Sequence, residues 1–219
     1  MKKTKKIFNV IILDESGSMH SIKAPTISGF NEVFETIQNA EKQYEDQVHF
    51  VTFISFNTDG IKTHLFNQPA AMLKPLTNAS YHPGNGTPLY DAMGYGLNKQ
   101  RESIASYEDT RVLVTILTDG EENASNEYND LAIKSLISEL NKLGWTITYI
   151  GANHDVEDFS KRHGILNHMS YNANEKDMKA AFSKEKIART AFYSRSGNNK
   201  GDDFFKDIPE INKEEEDKK

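Results

Sequence analysis

Asp14, Ser16 and Ser18 stand two residues apart in Asp14-Glu15-Ser16-Gly17-Ser18, directly after the apolar run Ile7 to Leu13. In an extended or loosely turning segment, residues two apart point the same way. A carboxylate and two hydroxyls can then face one point, with Gly17 letting the backbone bend between the serines. Two further oxygen-bearing residues sit in comparable places. Thr87 follows Gly84-Asn85-Gly86, and Asp119 lies in Thr118-Asp119-Gly120-Glu121-Glu122, at the end of a second apolar run. A ligand set of oxygens, without sulfur or imidazole, suits a hard cation such as Mg2+, and Mn2+ and Ca2+ accept the same ligands. Ser16, Ser18 and Thr87 are neutral, so an ion held there keeps much of its charge. Such a site favours capture of an acidic group from another molecule over storage of the ion. Each piece also has a plainer use. Asp and Ser favour turns, Thr87 suits a helix N-cap, and Asp119-Gly120 suits a turn.

Other chemistries find less support. The chain has no cysteine, which excludes disulfides, thiolate metal sites and thiol nucleophiles. Its seven histidines lack the paired spacing of zinc sites. There is no Gly-x-Ser-x-Gly elbow and no Walker A loop. Mg2+ at strand ends is compatible with phosphoryl chemistry, so a metal-dependent hydrolase or phosphatase is the alternative function. Phosphatases of the haloacid-dehalogenase type, however, carry Asp-x-Asp after the first strand, and Ser16 takes the second position here. A net charge of −6 argues against a nucleic-acid partner. No stretch approaches the roughly 20 apolar residues of a membrane span. The start Met1-Lys2-Lys3-Thr4-Lys5-Lys6 imitates a signal peptide, but Asp14 and Glu15 stand where a small-residue cleavage site belongs. The expected setting is cytoplasmic.

The elements that must position these residues follow from hydrophobic periodicity. Ile7 to Leu13 reads as a buried strand interrupted by Asn9. Ile27, Phe30, Phe34, Ile37 and Ala40 predict a helix from about Thr26 to Tyr44. Val48 to Phe56 predicts a strand, and Asn57-Thr58-Asp59-Gly60 a hairpin to a more polar edge strand, Ile61 to Phe66. Asn67 to Thr87 reads as irregular. Thr87-Pro88 predicts a helix start, with Thr87 as N-cap and the helix reaching about Ser106. Arg111 to Leu117 and Trp145 to Ile150 read as buried strands, separated by a helix that Gly144 ends. A short helix Asp155 to His163, a weak strand His168 to Tyr171 and a helix Glu175 to Phe192 complete the alternation. The expected fold class is therefore α/β, with a mainly parallel sheet and helices on both faces. Ligands in such sheets bind where strand order reverses, beyond the carboxyl ends of the strands. The acidic turns after Leu13 and Leu117 would meet there if their strands are neighbours.

Three motifs in this order resemble the von Willebrand factor type A domain: Asp14-Glu15-Ser16-Gly17-Ser18-Met19, Gly86-Thr87-Pro88-Leu89 and Leu117-Thr118-Asp119-Gly120. The likeness spans residues 5–195. It implies a Rossmann-like, doubly wound six-stranded sheet with one antiparallel edge strand. It also implies a metal-ion-dependent adhesion site. Ser16 and Ser18 would be direct ligands, Thr87 a direct ligand when a partner is bound, and Asp14 and Asp119 would act mostly through water. The open position would take an Asp or Glu of a protein partner. The implied function is a non-enzymatic, Mg2+-dependent protein-binding module, closest to small standalone bacterial or phage members. A scaffold that uses its helices or tail is a further reading.

Residues 1–196 are expected to form the domain, with 197–219 a charged, mobile tail. Phe204, Phe205 and Ile208 are positioned to dock part of that tail. His20, Met19 and Tyr90 are candidates for the rim of the site, whereas Glu121 and Glu122 read as solvated loop residues.

Overall fold

In the computed structural model, which describes residues 4–152, 155–172, 174–195, 204–206 and 208, the first apolar run becomes β1 (Lys5–Asp14). A 3-10 turn over Gly17–Ile22 leads into α1 (Lys23–Gln43). β2 (Gln47–Asn57) and β3 (Gly60–Pro69) form the expected hairpin. Then come α2 (Leu89–Ile104), β4 (Thr110–Thr118), α3 (Asp130–Lys142) and β5 (Thr146–Ala152). After β5, α4 (Val156–His163) ends at Gly164 in the left-handed region, φ 72°. β6 (Asn167–Tyr171) and α5 (Glu175–Ser194) complete the alternation.

The sheet order is β3-β2-β1-β4-β5-β6, parallel throughout except for the β2–β3 pair. This is the expected doubly wound architecture with one antiparallel edge strand. The chain leaves β1 in one direction to build β2 and β3, then returns to β1's other side with β4. The reversal therefore falls between β1 and β4, and the turns bearing Asp14 and Asp119 are neighbours.

Strand alternation sorts the core into two layers. Phe8, Val10 and Ile12 pack against α2, α3 and α4, while Ile11 and Leu13 face α1 and α5. Burying each such side chain stabilises by about 1.5–3 kcal/mol, which fixes the strand register under the site. Asn9 lies on the α1/α5 face and is fully buried, held by Arg189 and Tyr193 of α5.

Helices α1 and α5 meet closely at Gly29, where a Cβ would stand 2.0 Å from the Phe182 ring. Phe182 is itself buried, so the ring has no room to retreat. Alanine favours a helix by about 1 kcal/mol over glycine, but overpacking at this distance outweighs it. Gly29→Ala is expected to destabilise the protein by about 1–3 kcal/mol in urea unfolding; an unchanged midpoint would contradict this packing.

Two local expectations are corrected. The Asn67–Thr87 segment is more ordered than its Pro and Gly content suggests. β3 runs on to Pro69, a 3-10 turn covers Ala70–Met72, and Ala70, Leu73, Leu76 and Tyr81 are buried with the α1 face. Thr87, for its part, does not cap α2. The N-cap is Pro88, at φ −79° and ψ 63° with no side-chain cap, so the chain turns away from the helix end at Thr87. The first-turn amides are satisfied from across the fold instead. Tyr90 N donates to Glu122 Oε2 at 2.8 Å and Asp91 N to Ser125 Oγ at 3.0 Å. The mobile tail expected over 197–219 falls mostly outside the described residues. Within them, Phe204 is buried beside Ile7 and Phe192, and its N–H donates to Asn167 Oδ1.

Candidate metal centre

At the end of β1 the Asp14 carboxylate is completely buried. Its Oδ1 accepts from Ser16 N at 2.7 Å, and its Oδ2 accepts from Thr118 Oγ1 at 2.6 Å. The first bond closes a tight turn that aims the next side chains along one direction. Ser16 keeps extended backbone, φ −74° and ψ 169°. Its Oγ lies 3.2 Å from Ser18 Oγ, and Ser18 Oγ donates to Asp119 Oδ1 at 2.6 Å. Thr87 comes from the other side. A Cβ on Gly120 would stand 3.2 Å from Ser18 Oγ and 3.4 Å from Thr87 Oγ1. Ser18, Asp119 and Thr87 thus meet beside Gly120, with Ser16 against Ser18 and Asp14 holding the turn that carries both serines.

Gly17 matters for a different reason from the expected bend. Its φ is not in the left-handed region. Its N–H donates to Asn85 O at 2.9 Å, and a Cβ there would press to 3.2 Å from the same oxygen. Absence of a side chain lets the Thr87 loop approach the Asp14 turn. Asn85 itself adopts φ 67°, a conformation asparagine tolerates better than most residues.

Electrostatics at this point are anionic. Burial lifts the Asp14 carboxyl to about 6, against the hydrogen bonds from Thr118 and Ser16 that favour its charged form; the neighbouring Asp119 adds to the rise. Burial likewise pushes the Tyr81 and Tyr171 hydroxyls upward, with Asp14 and Asp119 contributing. A cation at the centre would reverse each of these effects. Among the described residues no group of three or more His, Asp and Glu suits a metal ion. The donor set here is instead two carboxylates and three hydroxyls, the chemistry of a hard, incompletely neutralised cation.

Several supporting residues escaped the sequence reading. Glu15, between two site residues, is buried: Oε1 accepts from His82 N at 2.8 Å and Oε2 from Ser55 Oγ at 2.9 Å, with Lys62 Nζ at 3.4 Å. Its backbone carbonyl accepts from Gly84 N at 2.9 Å, so it ties the 82–84 loop to β1. Tyr81 donates to the Asp14 carbonyl at 2.7 Å. A second carboxylate, next to Asp14 at the end of a buried strand, was the available signal for Glu15; Tyr81 had only its aromatic character inside a polar loop. Glu122 is not a solvated residue. Besides Tyr90 N, it accepts from Ala124 N, Ser125 N and Ser125 Oγ at 2.6–2.8 Å. Met19 is buried with the α1 layer and is not on the rim, and Tyr90 packs toward α4, stacked on Phe159, with its hydroxyl on Asp130. His20 is exposed beside the motif.

The sequence model of the von Willebrand factor type A domain matches residues 10–189, and the chain belongs to that family. No curated protein matches it. Among solved structures, a von Willebrand factor type A protein from Catenulispora acidiphila is 14% identical, with TM-score 0.56, over 85% of this chain and 43% of that one. The pilus adhesin SpaC from Lactobacillus rhamnosus GG, in an open conformation, is 12% identical with TM-score 0.64, over 87% of this chain and 30% of that one. Manganese-loaded TRAP protein from Plasmodium vivax is 13% identical with TM-score 0.50, over 85% and 74%. The chain thus spans less than half the length of the first two, and likeness at this identity establishes the fold alone.

Proposed function

We propose that this chain is a non-enzymatic, metal-dependent protein-binding module that captures an acidic side chain of a partner through the centre beside Gly120. The observation that carries the reading is the meeting of Ser16, Ser18, Thr87 and Asp119 oxygens, from three separate loops, beside Gly120. Family membership supports an adhesion or interaction role. The manganese of the Plasmodium vivax relative and the adhesive role of SpaC point the same way.

In this reading Ser16 and Ser18 would hold Mg2+ through their hydroxyls, and Thr87 would join them when a partner is bound. Asp14 and Asp119 act mostly through water. The bound ion supplies an electrophilic bridge to a foreign Asp or Glu. The chain's own part is to pre-align the hydroxyls, which Asp14 does by gripping Ser16 N and Thr118 Oγ1. Mg2+ is the proposed cation, with Mn2+ or Ca2+ as substitutes of the same ligand preference.

The test is affinity capture from a native lysate with the full chain. Capture is expected with Mg2+, to fall at least about tenfold in chelator, and to be lost in Ser16→Ala. Capture unchanged in chelator would overturn the reading. Turnover of generic phosphate esters with Mg2+ or Mn2+, lost on Asp14→Ala, would establish the hydrolase alternative instead.

A further inference from the structure

Thr87 has an unusual attachment. Its N–H donates to Asn123 Oδ1 at 2.8 Å, and its carbonyl accepts from Asn123 N at 3.2 Å. One residue of the loop after β4 therefore grips both polar groups of the Thr87 backbone, much as a strand partner would. The neighbouring position is shaped to this grip: a Cβ on Gly86 would come to 3.1 Å from Asn123 Oδ1. Gly86 N in turn donates to Thr58 Oγ1 at 3.2 Å.

The loop that carries Asn123 is itself fixed to the start of α2. Glu122 takes Tyr90 N and folds back on Ala124 and Ser125. Reciprocally, the Asp91 carboxylate accepts from Asn126, Glu127 and Tyr128 N at 2.8–2.9 Å. Both acidic residues sit at a crossing between the two segments. The same loop begins at Asp119, so Asp119 and Thr87 are held in fixed relation by side chains that are not themselves candidate ligands.

From this geometry we infer that Asn123 is a positioning residue for Thr87, and that the 119–128 loop and the first turn of α2 present Thr87 and Asp119 to the metal as one unit. This rests on the metal-centre reading above. Asn123 is exposed, so its replacement leaves the core intact. It contributes through Thr87 and not through contact with the ion.

Two measurements on the full-length protein test it. In ion-free protein, Asn123→Ala should speed amide hydrogen exchange at Thr87 by about tenfold or more, because the acceptor is gone. Asn123→Asp, which keeps an oxygen there, should retain the protection. Unchanged exchange in Asn123→Ala would overturn the proposal without reference to any metal. The second measurement is a double-mutant cycle on Mg2+ affinity by calorimetry, with excess acetate standing in for the partner's carboxylate so that Thr87 is a ligand. Asn123→Ala should weaken uptake by about tenfold in the parent and have no further effect in a Thr87→Ala background. Equal losses in both backgrounds would overturn it. No Mg2+ uptake by the parent would overturn the metal-centre reading and the presentation of Thr87 to an ion, while the exchange result still judges the grip of Asn123.

Discussion

Asp14→Ala is expected to weaken divalent-cation uptake by at least about 100-fold while the protein stays folded. Asp14 both carries charge and organises the turn. Its carboxylate receives Ser16 N and Thr118 Oγ1, and its position at the last residue of β1 sets where Ser16 and Ser18 begin. Without it, the serine hydroxyls lose the bond that aligns them and the centre loses half its formal negative charge. The effect on ion-free stability should be small for a specific reason. A carboxyl lifted to about 6 by burial is ionised at neutral pH at a cost of about 3 kcal/mol. Removing it relieves that, while orphaning the two donors costs about 1–3 kcal/mol each. Thermal unfolding should therefore separate the two roles. The parent should gain about 2.7 kcal/mol of stability when Mg2+ is at 100 times its dissociation constant, and Asp14→Ala at the same Mg2+ should gain no more than about 0.4 kcal/mol. An equal Mg2+ shift in both proteins would contradict the assignment of Asp14.

The largest loss of stability is expected far from the site, at Arg189 of α5. Its guanidinium is fully buried and ion-paired with Glu185 at 2.6 Å, also fully buried. Further donors reach Thr115 of β4 at 2.6 Å and the Tyr193 hydroxyl at 3.2 Å, and Tyr193 in turn donates to Asn9 of β1. Burial by itself opposes the charge of the guanidinium; Glu185 and Tyr193 outweigh it, and the group is held above its ordinary range. Arg189→Ala leaves Glu185 charged in the core and strips partners from two central strands. The expected loss is about 3–5 kcal/mol, read by denaturant midpoint. Replacing both members, Glu185→Leu with Arg189→Met, should recover most of it, because the buried charge is then gone. If the double variant is no more stable than Arg189→Ala, the ion pair is not what Arg189 supplies.

Much of this was legible before the structure. The two acidic turns after apolar runs could share one switch point if their strands were neighbours, and β1 and β4 are adjacent. The five candidate oxygens carried their spacing and their loop context in the sequence. What stayed hidden was the wiring between distant segments. Asn9 looked like an interruption of a strand, yet it is the sheet's contact with Arg189 and Tyr193, residues about 180 positions away that lie together only in the fold. Thr87-Pro88 satisfied every local rule for a helix start, but those rules are blind to a cap delivered by Glu122 from another loop. Glu122 read as a solvated carboxylate, and the role of Glu15 went unseen, because periodicity says nothing of backbone amides brought to them from elsewhere.

The most direct test of the central claim is titration of chelator-stripped protein with Mn2+, followed by electron paramagnetic resonance and competed with Mg2+. Uptake of one ion per chain, displaced by Mg2+ and lost in Ser16→Ala, is the predicted result. Failure to bind any divalent ion at millimolar concentration, or binding that is unchanged in Ser16→Ala, would contradict it.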